Sequence, residues 1–84
     1  MSKKDKLWAK FMEVPPKKNL TWNELISFLL ALGFELLEGD GSRVKFYHKT
    51  KDIMVNLHKP HPDNLLKTYI VKQIQEKLKE AFNG

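Results

Sequence analysis

The side chains best suited to chemistry are concentrated between residues 43 and 67. This stretch contains six lysine or arginine residues, all three histidines and only two acids. Lysine and arginine neutralise phosphates, a ring such as that of Tyr47 can stack on an unpaired base, and histidine transfers protons near neutral pH. An exposed surface that combines these residue types suits a ribose-phosphate chain. The alternative is a solvated strand face whose lysines keep a sheet edge soluble.

Several other chemistries are excluded or poorly supported by the residue types. The chain has no cysteine, which excludes disulfides, thiolate metal sites and cysteine nucleophiles. Three histidines without a carboxylate cluster do not predict a metal site, so no metal or cofactor is expected. Residues 39–42 are too few for a P-loop and lack its Lys-Ser/Thr ending. We interpret them as a hairpin turn with glycine at positions of positive φ, and Ser42 has no partners for a hydrolase triad.

Length and charge set the class of protein. Eighty-four residues predict a single domain with one modest core. The formal net charge of +5 favours an anionic partner. The longest apolar run, residues 25–34, covers only half of the roughly 20 residues that span a bilayer, and we find no signal-peptide pattern. We therefore expect a cytoplasmic protein without membrane association.

Apolar spacing predicts three helices. The first covers residues 3–13 and ends before Pro15. The second begins at a capping box formed by Thr21 and Glu24 and runs to Leu32, with Gly33 in a left-handed conformation after it. The third covers residues 67–82, with apolar side chains every fourth residue.

Three strands are predicted between the second and third helices, at residues 34–38, 43–48 and 53–57. An even loop at residues 49–52 aligns the apolar side chains of the last two strands as core-facing pairs, with Val44 opposite Leu57 and His48 opposite Ile53. The same register places Arg43 opposite His58 on the other face, with Cβ atoms about 4.5–5.5 Å apart. The predicted fold class is α+β, with a three-stranded antiparallel sheet covered on one face by helices.

Four short motifs occur in a fixed order along these elements. Leu32-Gly33-Phe34 follows a helix, Gly41-Ser42 opens a strand, His61-Pro62 follows the third strand, and Leu66-Lys67 leads into the last helix. Over residues 20–82 this order resembles the HicA family, the small RNA-cleaving toxins of bacterial toxin–antitoxin pairs.

The resemblance implies a fold, an activity and a partner. The implied fold is like that of a double-stranded-RNA-binding domain, α-β-β-β-α, here with an extra N-terminal helix. Residues 1–19 would be a helical extension with a proline-rich connector, and residues 20–84 the HicA-like domain. The implied activity is metal-independent cleavage of messenger RNA, restrained by a HicB-like antitoxin that covers the active surface.

The chain departs from the family at the catalytic position. The family's histidine follows a Gly-Ser pair, where this chain has Arg43 and then Val44. Arginine cannot act as a base but can stabilise charge on phosphoryl oxygens. The expected catalytic residues are therefore Arg43 with a displaced histidine, His58 first and His61 second; His48 is disfavoured because its parity turns it toward the core. The expected RNA-binding residues are Ser42, Arg43, Lys45, Tyr47, Lys59 and Lys67.

Two alternatives to RNA cleavage stay open at this point. The protein could bind RNA without cutting it, or it could serve mainly as the partner of an antitoxin-like protein.

Overall fold

A computed structural model describes residues 3–39, 41–60 and 63–82. Within them the chain forms, in order, α1 (Lys3–Phe11), α2 (Trp22–Ala31), β1 (Glu35–Glu38), β2 (Arg43–His48), β3 (Ile53–His58) and α3 (Thr68–Phe82). All six predicted elements are present, with ends that differ from the prediction by two residues or fewer. The α+β fold class is confirmed.

Local interactions fix both ends of α2. The hydroxyl of Thr21 accepts a hydrogen bond from the Glu24 amide at 3.1 Å, and the Glu24 carboxylate accepts one from the Thr21 amide at 3.0 Å. These reciprocal bonds form the predicted capping box. After the C-cap residue Leu32, Gly33 has φ 104, a region that favours glycine. A Cβ atom on Gly33 would lie 2.9 Å from Nε2 of His48, so the position also lacks space for a side chain.

Helix α1 is part of the core. It ends at Phe11, two residues earlier than predicted. The Phe11 ring is fully buried and stacks on Phe28 of α2 at a centroid distance of 4.8 Å. Trp8 contacts both Phe28 and Phe82 edge to face, and the Gln75 amide of α3 donates to the Phe11 carbonyl at 2.8 Å. Helix α1 therefore joins α2 and α3 on the side away from the sheet.

The three strands form one antiparallel sheet in the order β1-β2-β3. The predicted register of β2 with β3 is confirmed at every pair from Arg43↔His58 to His48↔Ile53. The first hairpin closes with a hydrogen bond from the Gly39 amide to the Arg43 carbonyl at 2.9 Å. Of its two glycines, Gly41 has the expected positive φ, 63, whereas Gly39 is not among the residues with positive φ.

Burial alternates along the strands and separates the two faces of the sheet. The pattern of β2 is exposed, buried, exposed, buried, half-buried, buried. Val44, Phe46, Val55 and Leu57 face the helices and belong to a core that also contains Phe28 and Ile74. The opposite face has no helix over it in the described part of the chain. No helix among these residues is long and apolar enough to cross a membrane.

Candidate functional site

The uncovered face of the sheet, here called the open face, carries one row of side chains from each strand. Strand β1 contributes Glu35 and Leu37, β2 contributes Arg43, Lys45 and Tyr47, and β3 contributes Met54, Asn56 and His58. These side chains alternate with the core residues because successive side chains of a strand point to opposite faces. The open face thus combines Arg43, Lys45 and His58 with one carboxylate, Glu35, and one aromatic ring.

Arg43 and His58 are neighbours at one end of this face. The Lys59 amide donates to the Ser42 carbonyl at 2.8 Å, so the ladder continues one pair beyond the two strands. Because hydrogen-bonded and non-hydrogen-bonded pairs alternate, Arg43 and His58 form a non-hydrogen-bonded pair, the kind whose Cα atoms are only about 4.5 Å apart. The structure therefore places Arg43 directly opposite His58 on the open face, as the register predicted.

The side chains of this end have no fixed partners. Arg43, His58 and Lys59 are exposed, and their side chains make no hydrogen bond or ion pair with the described residues. Lys45, one pair further along, is likewise exposed and lies between Leu37 and Asn56. The exposed Ser42 contributes its carbonyl to the ladder, while its hydroxyl makes no contact in the described structure. Such groups are available to a ligand.

Tyr47 lies at the other end of the open face and is held in place. Its hydroxyl donates a hydrogen bond to Oδ1 of Asp52 at 3.0 Å. That bond and the negative charge of Asp52 raise the pKa of the Tyr47 phenol. The ring is half-buried, so only part of it is available for stacking.

His48 occupies the core side at that same end of the ladder. The ring is only 8% exposed and lies edge to face against Phe34 and Phe82. Nδ1 accepts a hydrogen bond from the Lys51 amide at 3.1 Å. Nε2 lies 3.0 Å from the Leu32 carbonyl, so it must carry the ring proton. Both nitrogens are committed to the fold, which agrees with the sequence argument against His48.

A cavity of about 320 Å³ opens between the end of β3 and the start of α3. We call it the β3–α3 cavity. Its polar and aromatic lining side chains are Asn56, His58, Lys59, Asp63, Lys67, Tyr69 and Gln73, and its apolar lining includes Leu65. His58 belongs to both this cavity and the open face, so the two are continuous. Lys59 and Lys67, both predicted as RNA-binding residues, line the same cavity as His58.

Tyr69 lines this cavity but is not among the site residues predicted from the sequence. Its ring is 58% exposed. A signal for it was present, because Tyr69 precedes the apolar stripe of α3 that begins at Ile70 and so faces away from the core. An aromatic residue off the apolar stripe of an amphipathic helix is a candidate for a surface contact.

His61, the second choice for the catalytic histidine, lies outside the described residues. No group of three or more histidine or acidic side chains suited to a metal ion occurs in residues 3–39, 41–60 and 63–82.

Comparison with known protein families gives one match. The family model described as HicA toxin of bacterial toxin-antitoxin matches residues 22–81, which is most of the chain. The match begins at Trp22, the first residue of α2, and ends one residue before the end of α3. No curated protein and no solved structure gives a significant match.

Proposed function

The chain belongs to the HicA toxin family and is the toxin component of a toxin–antitoxin pair, and we propose that it acts in the cytoplasm as a metal-independent endoribonuclease on messenger RNA. The observation that carries this proposal is the exposed Arg43–His58 pair. This pair offers two of the groups that metal-independent RNA cleavage uses, a base for the 2′-hydroxyl and a cation for the phosphoryl oxygens.

The cleavage step uses the 2′-hydroxyl of the RNA as the nucleophile. The neutral imidazole of His58 takes the proton from this hydroxyl, and the oxygen attacks the adjacent phosphorus. The bond from phosphorus to the 5′-oxygen of the next nucleotide breaks, and that oxygen takes up a proton from a general acid, for which His61 is the proposed candidate. Arg43 stabilises the negative charge that builds up on the phosphoryl oxygens.

The remaining site residues are proposed to hold the RNA. Lys45, Lys59 and Lys67 neutralise backbone phosphates, and Ser42 offers a hydroxyl beside Arg43. Tyr47 supplies part of an aromatic surface at the far end of the open face. These residues all lie in 20–84, the segment that we propose as the functional domain, with residues 1–19 as an extension.

The catalytic arrangement differs from the family pattern in the position of the histidine. The family places a histidine after the Gly-Ser pair on the second strand, whereas this chain has Arg43 there. The cross-strand register supports an exchange of positions, because His58 on β3 lies directly opposite that place. A histidine on the neighbouring strand can reach the same scissile phosphate.

RNA digestion in the presence of EDTA tests the proposal. The purified protein should fragment single-stranded RNA and leave the same RNA intact when every ribose carries a 2′-O-methyl group, because the nucleophile is then blocked. Activity that disappears in EDTA would contradict the metal-independent mechanism. Activity that persists after replacement of all three histidines would contradict the histidine mechanism.

Expression in bacteria tests the place of the activity in the cell. The protein produced alone should arrest growth, and production of the HicB-like antitoxin should restore it. Arrest that the RNase-inactive variant also causes would show a toxicity unrelated to RNA cleavage.

The open face also supports a second candidate function, an RNA-binding or antitoxin-binding module that does not cut. The observation in favour of it is apolar: Leu37 is 43% exposed and Met54 38% exposed on the open face. Apolar side chains between cations suit a protein partner that covers the face. This function predicts salt-sensitive RNA affinity without fragments and without growth arrest.

A further inference from the structure

No hydrogen bond or ring contact with the described residues accounts for the exposed aromatic ring of Tyr69. It lies in the first turn of α3 (Thr68–Phe82), and its ring is 58% exposed. Its hydroxyl has no hydrogen-bond partner among the described residues. Tyr47 differs on both points, because it is half-buried and its hydroxyl is bonded to Asp52. Of the two tyrosines, Tyr69 presents the larger free aromatic surface.

The surroundings of Tyr69 combine an apolar wall with positive charge. Leu65, 44% exposed, lines the same β3–α3 cavity. Lys59 and Lys67 line it as well, together with His58. Asp63 is the single carboxylate there, and its Oδ1 already accepts a hydrogen bond from the Leu65 amide at 3.3 Å. The volume of about 320 Å³ lies at the lower end of the range for small-ligand pockets.

A neighbouring cavity shows that these features are specific to one end of the groove between β3 and α3. It has a volume of about 390 Å³ and is lined by Met54 and, on α3, by Glu76, Lys77 and Glu80. Lys77 contacts the Met54 carbonyl at 3.5 Å. This cavity contains no aromatic ring, and its acids oppose binding of a phosphate.

We propose that the β3–α3 cavity binds one unpaired nucleotide of the RNA, with its base stacked on Tyr69 and its phosphates beside Lys59 and Lys67. The inference deepens the proposed function, since it takes RNA as the ligand. An aromatic ring recognises the face of a base only when that base is unstacked. The cavity therefore selects single-stranded RNA, although the family resemblance points to a fold that binds duplexes.

The position of His58 connects this binding site to cleavage. His58 lines the cavity and also lies opposite Arg43 on the open face. A nucleotide held by Tyr69 is thus adjacent to the bond that Arg43 and His58 act on. Tyr69 positions the RNA chain and takes no part in proton transfer.

Fluorescence anisotropy with a 2′-O-methyl RNA of about 12 nucleotides, which is not cleaved, tests the inference at equilibrium. Tyr69→Leu keeps the apolar bulk but removes the ring, and it should weaken binding of the single strand by about 5-fold to 100-fold, the value of one base–aromatic stack. Tyr69→Phe keeps the ring and should bind within about twofold of the unmodified protein. A duplex of the same sequence should bind more weakly and should not respond to Tyr69→Leu.

Two lysine substitutions, Lys67→Ala and its control Lys72→Ala, test whether Lys67 contacts a phosphate. Lys67→Ala should reduce the slope of log affinity against log salt concentration by about 0.7, the value for one phosphate contact with a single strand. Lys72→Ala removes an equally exposed lysine of α3 that does not line the cavity, and it should leave the slope unchanged. Equal effects of the two substitutions would contradict a phosphate contact at Lys67.

The results separate failure of this inference from failure of the proposed function. If the unmodified protein binds RNA and Tyr69→Leu binds equally well, the nucleotide site is wrong while the RNA activity stands. Equal losses of single-strand and duplex affinity in Tyr69→Leu would also overturn it. If the unmodified protein binds no RNA, both the inference and the proposed function are wrong.

Discussion

The two ends of the β2–β3 ladder carry the same type of residue in opposite roles. At one end His48 is buried, and both of its ring nitrogens are occupied by the backbone groups of Leu32 and Lys51. At the other end His58 is exposed and has no partner among the described residues. The ladder contains both histidines on adjacent strands, but their parity differs, so one faces the core and the other faces solvent.

Under the proposed function, this difference gives one histidine a structural role and the other a chemical role. A buried imidazole with two hydrogen bonds stabilises the corner where α2 passes into β1. An exposed imidazole next to a guanidinium can change its protonation during a reaction without any effect on the fold. Substitution of His48 should therefore lower stability, whereas substitution of His58 should lower the rate of RNA cleavage and leave stability unchanged.

The largest loss of stability is expected for His48→Ala. The substitution leaves a cavity and removes the partners of the Leu32 carbonyl and the Lys51 amide, which should lower the free energy of unfolding by about 2–4 kcal/mol. His58→Ala should change it by no more than about 0.5 kcal/mol. Urea denaturation followed by circular dichroism measures both values, and similar losses at the two positions would remove the distinction.

Gly33→Ala tests how closely the backbone packs against the buried ring of His48. Its Cβ would approach His48 Nε2 to 2.9 Å at φ 104, so we expect a loss of about 1–3 kcal/mol. Gly41→Ala is the matched control, because Gly41 also has positive φ but its Cβ would meet open space; about 1 kcal/mol is expected there. In the double variant Gly33→Ala/His48→Ala the losses should be less than additive, and full additivity would show that the two residues do not interact.

A smaller effect is expected at the ion pair between Lys10 of α1 and Glu24 of α2. The Lys10 ammonium, which donates to the Glu24 carboxylate, lowers the pKa of Glu24 below its usual value of 4.5. A lowered pKa in the folded state stabilises the fold above about pH 4.5, and this contribution is lost as the pH falls through the folded-state pKa. Glu24→Gln should cost at most about 1 kcal/mol at neutral pH because the pair is partly exposed.

Measuring the free energy of unfolding of Glu24→Gln at several pH values tests whether loss of the ion pair with Lys10 causes the destabilisation. The difference between Glu24→Gln and the unmodified protein should shrink as the pH falls below 4.5, the usual pKa of glutamate. A difference that stays constant with pH would assign the loss to the capping box and not to the charge. RNA affinity should be the same in both proteins.

The smallest effect is expected for the pKa of Tyr47, which lies on the open face near the turn between β2 and β3. Asp52→Asn removes the negative charge that raises the pKa of the Tyr47 phenol, so that pKa should fall in the variant. Absorbance titration of tyrosinate, with Tyr47→Phe to identify the signal, measures the change. An unchanged pKa would mean that the Tyr47–Asp52 hydrogen bond does not persist in solution.

Much of the fold could be predicted because its signals are local. The capping box at Thr21 and Glu24, the glycine at residue 33 and the alternation of β3 each act over a few residues. The register followed from parity, since a one-residue slip would have turned Phe46 and Val55 to solvent. The family assignment rested on short motifs in a fixed order, and the family match over residues 22–81 confirms it.

The features that escaped prediction depend on contacts between distant segments. Gln75 lies outside the four-residue apolar spacing of α3, yet it is buried and donates to the carbonyls of Phe11 and Glu13. Tyr69 joins His58 in a cavity only because α3 returns along β3. The residues next to Gln75 and Tyr69 in the sequence do not indicate which distant segments these two side chains meet. The likeness to a double-stranded-RNA-binding domain, the domain boundary at residue 20 and the role of His61 stay predictions.

The most direct test of the division between the two histidines is the rate of RNA cleavage in EDTA by His58→Ala and His48→Ala, each divided by the folded fraction of the variant. His58→Ala should lose at least about 100-fold in rate, the usual value of a general base, at unchanged stability. His48→Ala should keep the rate of the unmodified protein per folded molecule. A His58→Ala variant that cleaves RNA at the full rate, or a folded His48→Ala variant that does not, would contradict the account.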